Sequence, residues 1–244
     1  MSFKVVIPAR YAASRLPGKP LLMLAGKPMI QHVYARARQS GADEVVVATD
    51  DFMVRDACQK FDATVVMTSS KHASGTDRIA EAVTQLNWPD DAVVVNVQGD
   101  EPLMPPVLIR QAAELLLADA DAGIATLGTP IVNREELQNP NVVKLVTDAA
   151  GHALYFSRAP IPWERDNTTG FQSARRHIGI YAYRAATLQQ FTALPPAPLE
   201  TLEKLEQLRA LWHGLMIKVA DAVETPGRGV DTMEDAQAVE ALLR

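Results

Sequence analysis

Cysteine is almost absent from this 244-residue chain, where Cys58 stands alone. One thiol excludes an intrachain disulfide framework and fits a reducing cytoplasm. Aromatic residues make up only 6%, too few for a stacking platform along single-stranded nucleic acid. There is no excess of positive charge: 24 Lys and Arg face 29 Asp and Glu, for a net −5. That balance argues against a dedicated nucleic-acid binder. No apolar run approaches the roughly 18 residues of a membrane span, so no membrane insertion is expected. The start, MSFKVVIPAR, enters a strand pattern at once, with no signal-peptide pattern. His32, His72, His152, His177 and His213 show no i, i+4 pairing of the zinc-binding kind. No Gly-x-Ser-x-Gly elbow occurs and Cys58 has no supporting motif, so covalent catalysis is not expected.

What is present is a globular composition, 48% hydrophobic, at a length that suits one large domain. Charge is unevenly spread. Residues 1–42 hold seven basic groups (Lys4, Arg10, Arg15, Lys19, Lys27, Arg36, Arg38) and no acidic one, leaving 17 basic and 29 acidic groups for the remainder. A basic opening on an acidic protein suggests a local anion site, although a solvated face would look the same.

Apolar runs alternate with helix-period stretches. Phe3–Ile7, Glu44–Ala48, Thr64–Met67 and Ala92–Val97 read as short buried strands. Pro28–Gln39, Asp51–Phe61 and Thr76–Leu86 read as the helices between them, and a helix from Pro105-Pro106 runs to about Leu117. Single helices between strands imply right-handed crossovers and a mostly parallel sheet, an α/β fold. After Gly123 the rhythm changes. Strands are expected at Gly123–Thr129, Val142–Thr147, Ala153–Ser157, His177–Tyr183 and Leu215–Val219, a long helix at Leu199–His213 and a last one at Thr232–Leu243. Residues 1–244 thus read as a single α/β domain. An N-terminal half, about 1–122, is expected to carry a nucleotide site, and an interwoven half, about 123–244, to complete an active cleft.

The loop after the first strand, Pro8-Ala-Arg-Tyr-Ala-Ala-Ser-Arg-Leu-Pro-Gly-Lys-Pro20, lies where open α/β sheets bind ligands. Its Arg10, Arg15 and Lys19, with free backbone N–H groups, suit a triphosphate. It is not a Walker loop, because Pro20 follows Gly18-Lys19 and Ala13 replaces the first glycine. Arg-x4-Arg-Leu-Pro-Gly-Lys-Pro-Leu after a first strand resembles the sugar nucleotidyltransferases. Ser74-Gly-Thr-Asp-Arg78, Gln98-Gly-Asp-Glu-Pro102, Tyr155-Phe-Ser-Arg158, His177-Ile-Gly-Ile-Tyr181, Leu202-Glu-x-Leu-Glu-Gln-Leu-Arg209 and Gly229-Val-Asp-Thr232 narrow this. Together they resemble the 3-deoxy-manno-octulosonate cytidylyltransferases, or CMP-Kdo synthetases, over nearly the whole chain. One departure is Met233, where that family has Pro.

The resemblance implies a nucleotide-diphospho-sugar transferase-like fold, CTP and Kdo as substrates, Mg²⁺ as cofactor, a homodimer, a cytoplasmic location and a role in lipopolysaccharide synthesis. It also implies roles for individual residues. Ala9, Arg10, Arg15, Lys19, Ser74, Asp77, Arg78 and Gln98 would frame the nucleotide. Asp100 and Asp231 would hold the metal and, with Lys19, form the catalytic set. Gln98, Arg158, His177, Tyr181, Glu206 and Gln207 would hold the sugar acid, with Arg on its carboxylate and the others on its hydroxyls. Read without the resemblance, several of these positions have plainer accounts. Asp100 could be a turn residue and Asp231 a helix N-cap. His177 could be packed, Tyr181 could be core and Glu206 could sit on a solvated helix face. Glu101 and Asp235, next to the two aspartates, read as structural or solvent-facing. Apolar Phe156, Ile161, Pro162 and Trp163 could form a shared surface between subunits. A cytidylyltransferase for another sugar, such as sialic acid or methylerythritol phosphate, and a non-catalytic nucleotide-sensing module are the competing readings.

Overall fold

The computed structural model describes residues 2–11, 16–167 and 170–244. Strand β1 (Lys4–Ala9) carries Val5, Val6 and Ile7, β-branched residues that pack well on a pleated surface. A one-turn 3₁₀ segment at Lys19–Leu21 leads into a small hairpin, β2 (Met23–Leu24) and β3 (Lys27–Pro28). Ala25 and Gly26 at its tip are both left-handed, as a two-residue type I′ turn requires. Then α1 (Met29–Gln39), β4 (Glu44–Thr49), α2 (Phe52–Gln59), β5 (Thr64–Met67), α3 (Gly75–Gln85), β6 (Val93–Asn96) and α4 (Pro106–Leu117) follow in alternation. Asp51 caps α2 by accepting from the Met53 and Val54 amides, and Ser74 caps α3 in a capping box with Asp77.

The second half contains β7 (Ile124–Pro130), α5 (Arg134–Gln138), β8 (Lys144–Thr147), β9 (Ala153–Ser157), β10 (Arg175–Arg184), α6 (Ala185–Ala193), α7 (Pro198–Glu203), α8 (Gln207–Trp212), β11 (Ile217–Asp221) and α9 (Met233–Leu243). One sheet runs β11-β7-β10-β6-β1-β4-β5, with β8 and β9 added beside β10. The pairings among β6, β1, β4 and β5 are parallel. Strand β10 enters antiparallel between β6 and β7 and joins the two halves. Alternation along each strand divides the core. Val5, Ile7, Val45, Val47 and Val95 face α1, α2 and α4, whereas Val6, Val46 and Val94 face α3, α6 and α8. Each fully buried Val or Ile contributes roughly 1.5–3 kcal/mol. A smaller cluster of Leu24, Met29, Val230, Ala236 and Val239 docks α9 on the hairpin, returning the C-terminal segment to the first loop.

Most expected elements are present within one or two residues, but four expectations change. The helix expected over Leu199–His213 is two helices, broken at Lys204 in a left-handed conformation. The cause is tertiary: the Glu203 carbonyl accepts from Arg158 Nε at 2.6 Å, and its carboxylate accepts from Ser157 Oγ and the Arg158 amide. Helix α6 was not expected, since Arg184 at its start makes no side-chain cap, although Leu188 and Phe191 have helical spacing. Phe156 is not a surface residue, because it is fully buried in the core; Trp163 is 66% exposed. The N-cap of α9 is Thr232 rather than Asp231, with Asp235 completing its capping box. Asp235 is therefore structural, as expected.

Candidate active site

The ends of β1 and β6 open onto a cleft of about 200 Å³ lined by Pro8, Ala9, Arg10, Lys19, Pro20, Gly75, Gln98, Gly99 and Asp100. This is the carboxyl edge of a parallel sheet, where amide groups and helix N-termini converge. Gly99 is needed for the close approach of the two strand exits, since a Cβ there would lie 2.8 Å from the Pro8 carbonyl oxygen. Gly75, the first residue of α3, brings that helix's positive end to the cleft. Arg10 lines the same wall, and its buried Nη2 has no partner among the described residues. A buried guanidinium nitrogen left unpaired is costly unless an anion supplies its acceptor.

Lys19 joins two segments far apart in sequence. Its Nζ donates to Asp100 Oδ2 at 2.7 Å and to Asp231 Oδ1 at 3.1 Å. Burial works against the ammonium, but the bonds to Asp100 and Asp231 win and raise its pKa. The two carboxylates are thus within reach of one cation, and both remain accessible, at 39% and 63% side-chain exposure. A backbone bond from the Val230 amide to the Asp100 carbonyl fixes the second segment against the first. Glu101, expected to be structural or solvent-facing, is only partly exposed. Burial and the neighbouring charges of Asp100 and Asp231 push its carboxyl up to about 7.

The other nucleotide candidates separate. Gln98 lines the cleft directly. Ser74 and Asp77 are engaged with each other in the capping box, so they shape the cleft through α3. Arg78 is fully buried, and its guanidinium bonds Thr68 and Asp50, the latter at 3.0 Å. That pair braces the floor of the sheet edge and leaves Arg78 no exposed surface with which to touch a nucleotide. Arg15 lies outside the described residues.

On the other face of the sheet, Tyr181, Glu206 and Gln207 share a cavity of about 20 Å³, room for one water-sized group. The buried Tyr181 hydroxyl has no partner among the described residues. Burial, reinforced by Tyr183 and the Glu206 charge, pushes its ionisation well above the ordinary phenol value. His177 packs beside it, 5.2 Å between ring centroids, and edge-on to Phe156. A bulge in β10 between Ile178 and Tyr181 brings the two rings together. Thr126 pins the bulge by donating to the Ile180 carbonyl at 2.6 Å. With that proton committed, His177 Nε2 must donate to Thr126 Oγ1, 3.0 Å away. Burial lowers the His177 pKa to about 3, so the imidazole is neutral at physiological pH. Arg158 stands apart from this cavity. Its Nε and Nη1 donate to the carbonyls of Glu203 and Pro140, so part of the guanidinium expected on a sugar carboxylate is structural.

Sequence reading missed Thr126, since nothing in the sequence signals that it meets a bulge 52 residues later. Among the described residues, no cluster of three or more His, Cys, Asp or Glu could hold a metal ion.

The cytidylyltransferase family model matches residues 4–219. A 3-deoxy-manno-octulosonate cytidylyltransferase of Halorhodospira halophila is 58% identical, over 98% of this chain and 95% of its own. The protein of the same name from Thioalkalivibrio sulfidiphilus is 56% identical over the full length of both. The solved structure of a CMP:2-keto-3-deoxy-manno-octonic acid synthetase complexed with CTP superposes with a TM-score of 0.92 at 43% identity, covering 100% of this chain and 98% of the other.

Proposed function

This chain belongs to the cytidylyltransferase family, alongside the 3-deoxy-manno-octulosonate enzymes, and on that premise we propose that it makes CMP-Kdo from CTP and Kdo. The anomeric 2-hydroxyl of Kdo attacks the α-phosphorus of CTP; its proton leaves to solvent or a nearby base, and pyrophosphate departs. The observation that carries the reading is the cleft itself, where the unpartnered Arg10 Nη2 and Lys19 stand opposite Asp100 at the carboxyl end of β1. The product would serve lipopolysaccharide synthesis.

The residues divide the work. Arg10, Lys19 and the N-terminus of α3 would hold phosphate oxygens, acting mainly by positioning and charge neutralisation. The Ala9 and Gly99 backbones and Gln98 form the wall beside them. Asp100 and Asp231 suit Mg²⁺, which prefers one or two carboxylates plus phosphate oxygens and waters. Lys19 already holds both against a single positive charge. When bound, Mg²⁺ would neutralise phosphate charge and lower the effective pKa of the attacking hydroxyl. Tyr181, Glu206 and Gln207, with neutral His177, offer a hydroxyl-sized recess for the sugar. The homodimer is part of the same reading, with exposed Trp163 at the shared surface, and light scattering tests it. So is a cytoplasmic location, which suits the buried, free Cys58.

A pyrophosphate-release assay with CTP, Kdo and Mg²⁺ tests the function. Turnover should require all three and fall sharply with sialic acid, methylerythritol phosphate or ATP. CTP binding without turnover on any sugar would favour a nucleotide sensor instead.

A further inference from the structure

Thr76 connects the two sides of the proposed site. It follows Gly75, which lines the nucleotide cleft, in the first turn of α3. Thr76 itself is buried, and its Oγ1 donates to Glu206 Oε2 at 2.5 Å. Tyr183 borders the same cavity as Glu206. Glu206 stands 130 residues further along the chain, at the start of α8 and just past the left-handed break at Lys204. The Glu206 side chain makes no cap bond to its own helix. The Thr76 hydroxyl therefore determines where this carboxylate points. It engages only Oε2, and Glu206 also borders the cavity that holds the unpartnered Tyr181 hydroxyl.

We infer that Thr76 is a positioning residue for the sugar acid: its hydroxyl holds the Glu206 carboxylate at the cavity and ties that placement to the helix start beneath the nucleotide. The inference rests on Glu206 contacting the sugar, as in the function proposed above. A helix residue that packed only through its methyl group would tolerate valine. Here valine fills the same volume but leaves a partly buried carboxylate oxygen without its donor. Gly75 and Thr76 are adjacent on one turn already fixed by the Ser74 capping box, and the Thr76 hydroxyl is committed to Glu206, so CTP affinity should not need that hydroxyl.

The experiment measures KM for Kdo and CTP, and the Kd of CTP without sugar, for the wild type, Thr76→Val, Thr76→Ser, Glu206→Ala and the Thr76→Val/Glu206→Ala double variant. Thermal melts establish that each is folded. Thr76→Val should raise the KM for Kdo roughly tenfold or more, the size expected for losing a hydrogen bond to a charged group. The Kd of CTP should stay within about twofold, since that contact is not made to the nucleotide. Thr76→Ser should restore most of the loss, and Thr76→Val should add little in the Glu206→Ala background. If Glu206→Ala raises the KM for Kdo and Thr76→Val does not, the positioning role is wrong while the sugar site stands. The positioning role is equally wrong if folded Thr76→Ser fails to restore that KM. If Glu206→Ala leaves the KM for Kdo and kcat unchanged, the cavity is not a sugar site and the Thr76 role falls with it.

Discussion

His177 offers a prediction that can be worked through to a number. Burial beside Phe156 and Tyr181 lowers its folded pKa to about 3, against 6.5 for the free side chain. A folded pKa depressed in this way stabilises the protein above pH 6.5 and loses that stabilisation as pH falls toward 3, because the unfolded chain takes up the proton first. Between pH 7 and pH 5 the linkage integral amounts to ~2 kcal/mol. For a chain of this size that corresponds to a fall in Tm of roughly 4–8 °C. His177→Gln removes the titrating ring but keeps a polar side chain. Urea unfolding of both proteins at pH 7 and pH 5 separates this residue from the other titrating groups, because only the difference between the two pH dependences is read. The wild type should lose ~2 kcal/mol more than the variant over that interval. ¹⁵N NMR of the ring should also show a neutral imidazole protonated on Nε2 at pH 5, as the bond to Thr126 requires. Equal pH dependence in the two proteins, or an imidazolium signal at pH 5 in the folded state, would refute the reasoning.

Other expectations follow from the same geometry. Asp100→Asn and Asp231→Asn should each lower kcat by roughly 100-fold or more in a pyrophosphate-release assay, the scale of losing a group aimed at transition-state charge. Their melting temperatures should move by only a few degrees, since both carboxylates are substantially exposed. Arg10→Ala should weaken CTP binding more than CMP binding in calorimetric titrations, because the triphosphate presents more charge to the unpartnered guanidinium; equal losses would move Arg10 off the outer phosphates. Lys144 is fully buried, with its Nζ donating to the carbonyls of Asn139, Val142 and Arg158 at 3.0, 2.6 and 2.6 Å. Lys144→Met should therefore cost ~3 kcal/mol or more in urea unfolding, because three carbonyls lose their donor; a loss under 1 kcal/mol would show that water replaces the ammonium. Burial pushes the Cys58 thiol up to about 12, so it should ignore a thiol-reactive dye in the native protein at pH 8 and react on unfolding.

Much of the architecture was legible from local pattern. Period-2 valine runs, helix caps such as Asp51 and Ser74, and Pro106 at a helix start are short-range signals, and the elements they mark lie within a residue or two of expectation. The basic first loop was legible as a local excess of positive charge, whereas the aspartates of the two distant motifs were marked only by the family resemblance, since a turn residue and a helix N-cap have the same local pattern. What local pattern could not decide was how distant segments meet. The helix break at Lys204 follows from Arg158 capturing the Glu203 carbonyl, 45 residues away in sequence. The resemblance places Arg78 among the residues framing the nucleotide, and the fold buries it with its guanidinium bonded to Asp50 and Thr68. Glu101 reads equally as structural or solvent-facing, and packing decides it: burial, with the nearby charges of Asp100 and Asp231, raises its pKa. The physical reason is the same in each case. Propensity and periodicity act over a few residues, whereas desolvation and charge coupling depend on which chain segments pack together, and only the assembled sheet with α9 docked on its hairpin brings Lys19, Asp100 and Asp231 to one point.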